Sequence, residues 1–249
     1  MNKSRTNNPL LAQKILGLID LTSLNTNDTK INIKQLCKSA VTEFGHVPAI
    51  CIYSHFIPKA RQLLKKSATK IATVTNFPYG SPDLEIALFE TRLAIARGAD
   101  EVDIVIPYHQ LINGKTKLAN KMIKQAKKIC GKKTLKVIIE SGELKTPKLI
   151  EEAAFISIES GADFIKTSTG KVAVNATLEV AEIMLNVIKQ TGGKCGFKAA
   201  GGVKTVVEAV KYLELTKNIM GESYIKAETF RFGASSLLDD VLNVLGHNK

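Results

Sequence analysis

Short runs of apolar and β-branched residues alternate with longer amphipathic segments along this chain, and that rhythm constrains its fold more than any other feature. Eight runs can be placed, at residues 18–21, 49–53, 71–75, 101–106, 135–140, 164–167, 196–199 and 230–233, with 224–226 competing for the last position. Repeated βα units make a parallel sheet, because parallel neighbours need a crossover long enough to hold a helix. An open doubly wound sheet would use the same units, yet the chain has neither the G-x-G-x-x-G turn nor the Walker loop that often accompanies one. The expected class is therefore α/β: a single (β/α)8 barrel of the TIM type over residues 1–249, with 1–8 loosely held. The length of 249 residues agrees with the roughly 250 typical of such barrels, and no Pro/Gly/Ser-rich linker divides it.

Local punctuation supports the units. Ser81 before Pro82 reads as a helix start and Gly98 as its end; Thr146, Pro147 and Gly161 repeat the arrangement. Both helices run into Gly-Ala-Asp and then a strand, at 98–100 and at 161–163. Thr205 with Glu208 predicts a capping box.

Composition narrows the function classes. The chain is 45% hydrophobic, enough for a core at this length without disulfides. Lys and Arg number 35 against 23 Asp and Glu, for a formal charge of +12, which attracts nucleic acid or a phosphorylated substrate. Lysines such as Lys121, Lys124, Lys127 and Lys128 are spread over helix faces, without interleaved aromatics or a nucleic-acid-binding motif, so a nucleic-acid partner is not expected. Cys37, Cys51, Cys130 and Cys195 form no C-x-x-C pair and read as reduced, buried thiols, Cys51 without an assigned role. The N-terminus lacks an apolar leader, and Asp20 interrupts the stretch at 15–21. Neither a secretory signal nor a membrane span is expected, which points to the cytoplasm.

In such barrels the chemistry sits at the C-terminal ends of the strands. Asp103, Lys166 and Lys198 each interrupt an otherwise apolar strand. A lysine there must be paired, deprotonated or functional, because burying an unpaired ammonium is costly; in the plain alternative Asp103 merely neutralises one of them. Free lysine titrates near 10.4, so a nucleophilic lysine needs a bias against its ammonium form. A cation about 4 Å away supplies repulsion on the order of 4 kcal/mol at an effective dielectric near 20, so one lysine can activate another. His46, His55, His109 and His247 show no H-x-H or H-E-x-x-H spacing, so no metal is expected. Gly201-Gly202 after the seventh strand, Gly233 with Ser235 and Ser236 after the eighth, and Gly170-Lys171 after the sixth could hold a phosphate.

The residues that carry these readings fall within the motifs at 20–25 (DLTSLN), 101–105 (EVDIV), 136–140 (KVIIE), 162–170 (ADFIKTSTG), 197–202 (FKAAGG) and 231–236 (RFGASS). With them the chain resembles the deoxyribose-phosphate aldolase family of class I aldolases from near residue 18 to 245. The resemblance implies reversible cleavage of 2-deoxy-D-ribose 5-phosphate to D-glyceraldehyde 3-phosphate and acetaldehyde in cytoplasmic deoxyribonucleoside catabolism. It implies no cofactor, and a homodimer. Lys166 would form the Schiff base, Lys198 would perturb it electrostatically and move protons, and Asp103 would donate or accept a proton. Asp20 and Thr22 share one side of the first strand and are candidates for substrate hydroxyls or, equally, for stabilising the barrel interior. Lys136 either joins the polar network or pairs with Glu140 or another carboxylate. Two departures stand out: Lys204 replaces an arginine frequent after the Gly-Gly turn, and some members carry a longer tail ending in a tyrosine that reaches the site, whereas residues 246–249 here read GHNK. The resemblance then implies that no such tyrosine assists.

Overall fold

A computed structural model describes residues 8–246. In chain order its strands are β1 (Ile19–Thr22), β2 (Val41–Thr42), β3 (Gly45–His46), β4 (Ala49–Ile52), β5 (Lys70–Thr75), β6 (Glu101–Val105), β7 (Thr134–Ile138), β8 (Phe164–Lys166), β9 (Gly196–Ala200) and β10 (Phe230–Ala234). The helices are α1 (Pro9–Leu16), α2 (Lys30–Ser39), α3 (Ile57–Leu63), α4 (Leu84–Ala96), α5 (Tyr108–Ile112), α6 (Thr116–Cys130), α7 (Ser141–Leu144), α8 (Pro147–Glu159), α9 (Leu178–Gln190), α10 (Val206–Met220) and α11 (Leu237–Val244). Eight strands close into one parallel barrel in the order β1, β10, β9, β8, β7, β6, β5, β4, as the sequence rhythm predicts. The short antiparallel hairpin β2–β3 is an unforeseen addition before β4.

Strand alternation divides each strand between two environments. One set, including Ile50, Ile71, Val102, Ile104, Leu135, Val137, Ile165, Phe197 and Phe230, packs against the surrounding helices in the main core. The other set faces the barrel axis and is unequal around it. On β4 and β5 it is small and apolar, with Ala49, Cys51, Ala72 and Val74 clustered together. On β6 to β10 and on β1 it carries the charges: Glu101, Asp103, Lys136, Lys166, Lys198, Arg231 and Asp20 are all buried. Aligned neighbours place these charges in register, with Asp103 beside Lys136, Lys166 beside Lys198, and Lys198 beside Arg231.

Several local expectations need correction. The helix expected to start at Ser81 starts after Asp83, whose carboxylate accepts from the Ile86 N–H, while the Ser81 hydroxyl accepts from Asp83 N–H in the preceding turn. Gly98 and Gly161 do follow their helices with positive φ, and Thr146 and Thr205 cap α8 and α10 as expected. The competing segment at 224–226 ends a short 3-10 turn, leaving β10 as the eighth strand. Asn8, expected to be loose, caps α1 by accepting from Leu10 N–H and Leu11 N–H; residues 1–7 and 247–249, including His247 and the chain end, lie outside the described residues. Among the described residues no helix is long and apolar enough to cross a membrane.

Candidate active site

At the C-terminal ends of the barrel strands a cavity of about 330 Å³ opens above the charged interior, with Lys166 on its lining. Only 3% of Lys166 is exposed, so its amine meets a confined space rather than bulk water. Its Nζ donates to Asp103 Oδ2 at 2.9 Å, and Lys198 Nζ donates to the same oxygen at 2.8 Å. The two ammonium positions are thus within two hydrogen-bond lengths of each other, the juxtaposition that lysine activation requires.

The rest of the network lies deeper. Lys136 Nζ donates to Asp103 Oδ1 at 2.9 Å and to Glu101, and stands 3.6 Å from Asp20 Oδ2. Its partners are therefore not Glu140 but other carboxylates, and through them it joins the polar network. Lys198 also donates to Asp20 Oδ2 at 2.5 Å, and Arg231 bonds Asp20 Oδ1 and, at 3.3 Å, Glu101 Oε1. At the N-terminal end the Arg231 guanidinium stands over the Phe164 ring at 5.9 Å from its centroid, and Gly196 leaves the ring room, because a Cβ there would come within 2.5 Å of it. Gly233 serves the opposite end: its missing Cβ leaves space for Lys198 Cε and Ala200 Cβ, each of which would otherwise be met at 3.0 Å.

Electrostatics follow from these contacts. Burial opposes charge on Asp103, yet Lys136, Lys166 and Lys198 outweigh it and hold the carboxyl well below the ordinary carboxylate range. Asp20 is likewise lowered despite its burial, by Lys198, Arg231 and Lys136. The reciprocal effect raises Lys136 and Lys198, whose carboxylate partners overcome the desolvation of their ammonium groups. Inside the barrel four cationic side chains, Lys136, Lys166, Lys198 and Arg231, face three carboxylates, Asp20, Glu101 and Asp103. Lys166 has the fewest anionic partners of the four and is the one on the cavity.

The structure brings together Asp103, Lys166 and Lys198 as the sequence reading expects. Thr22, Gly170, Lys171, Gly201, Gly202, Gly233, Ser235 and Ser236 all line the cavity. Asp20 does not: both its oxygens are engaged beneath the cavity and it is fully buried, so its place is in the barrel interior rather than against substrate hydroxyls. Thr22 donates its hydroxyl to the Asp20 carbonyl at 2.8 Å. Gly170, Gly201 and Gly202 have positive φ, and Gly201 also packs against Asn175, whose side chain a Cβ would meet at 2.7 Å. Ser235 and Ser236 stand exposed before α11, where backbone N–H groups are left unbonded by the helix itself. Lys204 lines the cavity too, while its N–H donates to Glu208 at 2.7 Å.

Glu101, Arg231, Ser23, Asn25 and Asn175 have no role among the expectations drawn from sequence. Period two is the signal that could have found the first: Glu101 stands two residues before Asp103 and shares its face. Arg231 stands two before Gly233 in the same way. Ser23, Asn25 and Asn175 are loop residues without such a pattern. Cys51 is buried near this network and its thiol is pushed up, chiefly by burial. His46, His55 and His109 are exposed and away from the cavity lining. Among the described residues no group of three or more His, Cys, Asp and Glu side chains could hold a metal ion.

Comparison with known proteins agrees with this fold. Residues 14–242 match the DeoC/LacD family aldolase profile. The chain is similar to an apo-form structure from Toxoplasma gondii ME49 provisionally assigned as a deoxyribose-phosphate aldolase, with 25% identity, a TM-score of 0.89, and coverage of 97% of this chain and 98% of that one. A Coccidioides immitis structure provisionally assigned the same activity has 26% identity and a TM-score of 0.81, covering 92% and 85%. The deoxyribose phosphate aldolase of Aeropyrum pernix, described as a tetramer, shares the fold at 24% identity and a TM-score of 0.76, covering 99% of both chains.

Proposed function

We propose that this chain, which belongs to the DeoC/LacD family of aldolases, cleaves 2-deoxy-D-ribose 5-phosphate reversibly to D-glyceraldehyde 3-phosphate and acetaldehyde through a Schiff base on Lys166. The observation that carries the reading is the placement of Lys166 on the cavity, sharing one oxygen of Asp103 with Lys198.

In cleavage the neutral Lys166 amine adds to the C1 aldehyde and water leaves, giving an iminium. Loss of the C3 hydroxyl proton then breaks the C2–C3 bond, whose electron pair moves to C2 and the nitrogen as an enamine. Glyceraldehyde 3-phosphate leaves, C2 takes up a proton, and hydrolysis releases acetaldehyde and the free amine. Asp103 and Lys198 move these protons, directly or through water. At rest Asp103 faces three lysines and binds a proton poorly. At the enamine stage the Lys166 nitrogen is neutral, Asp103 has lost one cationic neighbour, and its proton affinity rises when a proton must be handled.

The phosphate would lie against Gly170, Lys171, Gly201, Gly202, Gly233, Ser235 and Ser236, where turn amides, hydroxyls and the start of α11 supply donors. Lys204 adds a point charge rather than the planar fork of an arginine. No cofactor is part of this reading. The enzyme would work as a single domain in the cytoplasm, in deoxyribonucleoside catabolism and as a homodimer.

Borohydride reduction in the presence of deoxyribose 5-phosphate, followed by peptide mass spectrometry with a parallel chelator control, tests the proposal. A reduced adduct on Lys166 that survives chelator supports it. An adduct on Lys198 reverses the lysine roles, and chelator-sensitive activity without any adduct replaces the mechanism by a metal-dependent one. Assay of acetaldehyde release separates this substrate from longer aldol donors.

A further inference from the structure

We infer that Glu140, which does not line the cavity, is a positioning residue: it fixes the wall at residues 169–171 and with it the grip on the phosphorylated end of the substrate. The inference rests on the functional reading above.

Glu140 follows β7 with φ 52 and ψ 60, a left-handed conformation that side chains other than glycine and asparagine rarely adopt. It is fully buried and, among the described residues, forms no ion pair; the charge of Lys166 favours its ionised form only from a distance. What the carboxylate does have is a single residue of the next loop. Oε1 accepts from Thr169 N–H at 3.1 Å and Oε2 accepts from the Thr169 hydroxyl at 2.5 Å. That hydroxyl in turn accepts from Lys171 N–H at 3.0 Å. Two backbone N–H groups of the loop after β8, on either side of Gly170, are thus tied to one side chain rooted just after β7.

A second contact braces the same loop further along. A Cβ on Gly142 would lie 2.0 Å from the carbonyl oxygen of Val174, so the turn after β7 touches the β8 loop at both Thr169 and Val174. Beyond Val174, Asn175 packs on Gly201. The cavity wall is therefore held between a turn that contributes nothing to the cavity and the Gly-Gly turn that does. A strained residue and a buried carboxylate persist only where their surroundings over-determine them, and here those surroundings are the wall itself.

A merely structural role for Glu140 would lower stability and all activities together. A positioning role acts on phosphate alone. The test is calorimetric titration of wild type, Glu140→Ala, Glu140→Gln and Gly142→Ala with inorganic phosphate, beside borohydride trapping with acetaldehyde, which carries no phosphate. Expected is a Kd for phosphate raised on the order of tenfold in Glu140→Ala and in Gly142→Ala. Glu140→Gln should restore most of the affinity, since its amide oxygen still accepts one Thr169 bond, and trapping should stay within about threefold of wild type in all variants. Unchanged phosphate affinity in the folded variants, trapping that falls in step with affinity, or a wild type that binds no phosphate each overturns the inference. Should Glu140→Ala fail to fold, the other two variants decide. Absence of trapping in wild type would instead sink the aldolase reading, while the phosphate titrations still judged Glu140.

Discussion

Lys166 on β8 donates to Asp103 on β6 at 2.9 Å, spanning the intervening strand β7, whose Lys136 takes the other oxygen of the same carboxylate. One carboxylate therefore organises three lysines. Asp103→Asn keeps the shape but removes the charge, leaving buried ammonium groups undercompensated. We expect kcat for deoxyribose 5-phosphate cleavage to fall on the order of 10²-fold or more. Stability should fall by about 3 kcal/mol. Steady-state kinetics and urea unfolding check both, and a folded variant with wild-type kcat would remove Asp103 from the mechanism.

The two lysines bonded to Asp103 from β7 and β8 should respond unequally to loss of charge. Lys166 is the fourth cation facing three carboxylates, so Lys166→Met should abolish borohydride trapping while costing less than about 1 kcal/mol of stability. Lys136→Met removes the one lysine of the network that stands against all three carboxylates, Asp20, Glu101 and Asp103, and should cost about 3–5 kcal/mol although Lys136 never reaches the cavity. Equal unfolding midpoints for the two variants would contradict this division.

Gly233→Ala places a methyl 3.0 Å from Lys198 Cε and from Ala200 Cβ. Lys198 then has to shift within a fully packed interior. Activity should fall about tenfold or more, as small misplacements at a reacting centre do. The circular dichroism spectrum should stay that of the wild type, and full activity would mean that Lys198 has slack the packing does not suggest.

Acid should attack the interior network late. Asp20 and Asp103 are depressed in the folded chain, so their contribution is fully present above the unfolded aspartate value near 3.9 and is lost as pH falls through their lower folded values. Burial raises Glu140, which works in the opposite sense and adds a little stability as pH falls toward its unfolded range. The urea midpoint should hold between about pH 7 and 5 and drop only below about 4. A steady decline from pH 7 to 5 would point to other groups.

Burial pushes the thiols of Cys37 and Cys130 up to about 11 and that of Cys195 to about 12, and raises Cys51 as well. Thiolate is the reactive form, so iodoacetamide at pH 8 should leave the folded protein nearly unmodified and alkylate all four cysteines in urea. Intact-mass spectrometry reads the difference. Rapid labelling of the native protein at Cys51 would reveal an opening of the interior beside the lysines.

The rhythm of strands and amphipathic segments determined the barrel, because a period of two and a period near 3.6 are properties of the backbone and can be read from neighbours in the chain. The same reasoning made Asp103, Lys166 and Lys198 visible, since a charge inside an apolar strand is a local anomaly. It also located the glycines and serines of the cavity, whose positions after the strands follow from the barrel itself. Pairing was another matter. Lys136 could have reached Glu140 four residues on, yet β7 turns it toward Glu101 and Asp103 on β6, and Glu140 bonds Thr169 of the next loop instead. Asp20 meets Lys198 and Arg231, far away in sequence, beneath the cavity rather than in it. Closure of the sheet and the alignment of its strands decide which charges meet, and those are relations between distant segments, so only the tertiary structure could fix them.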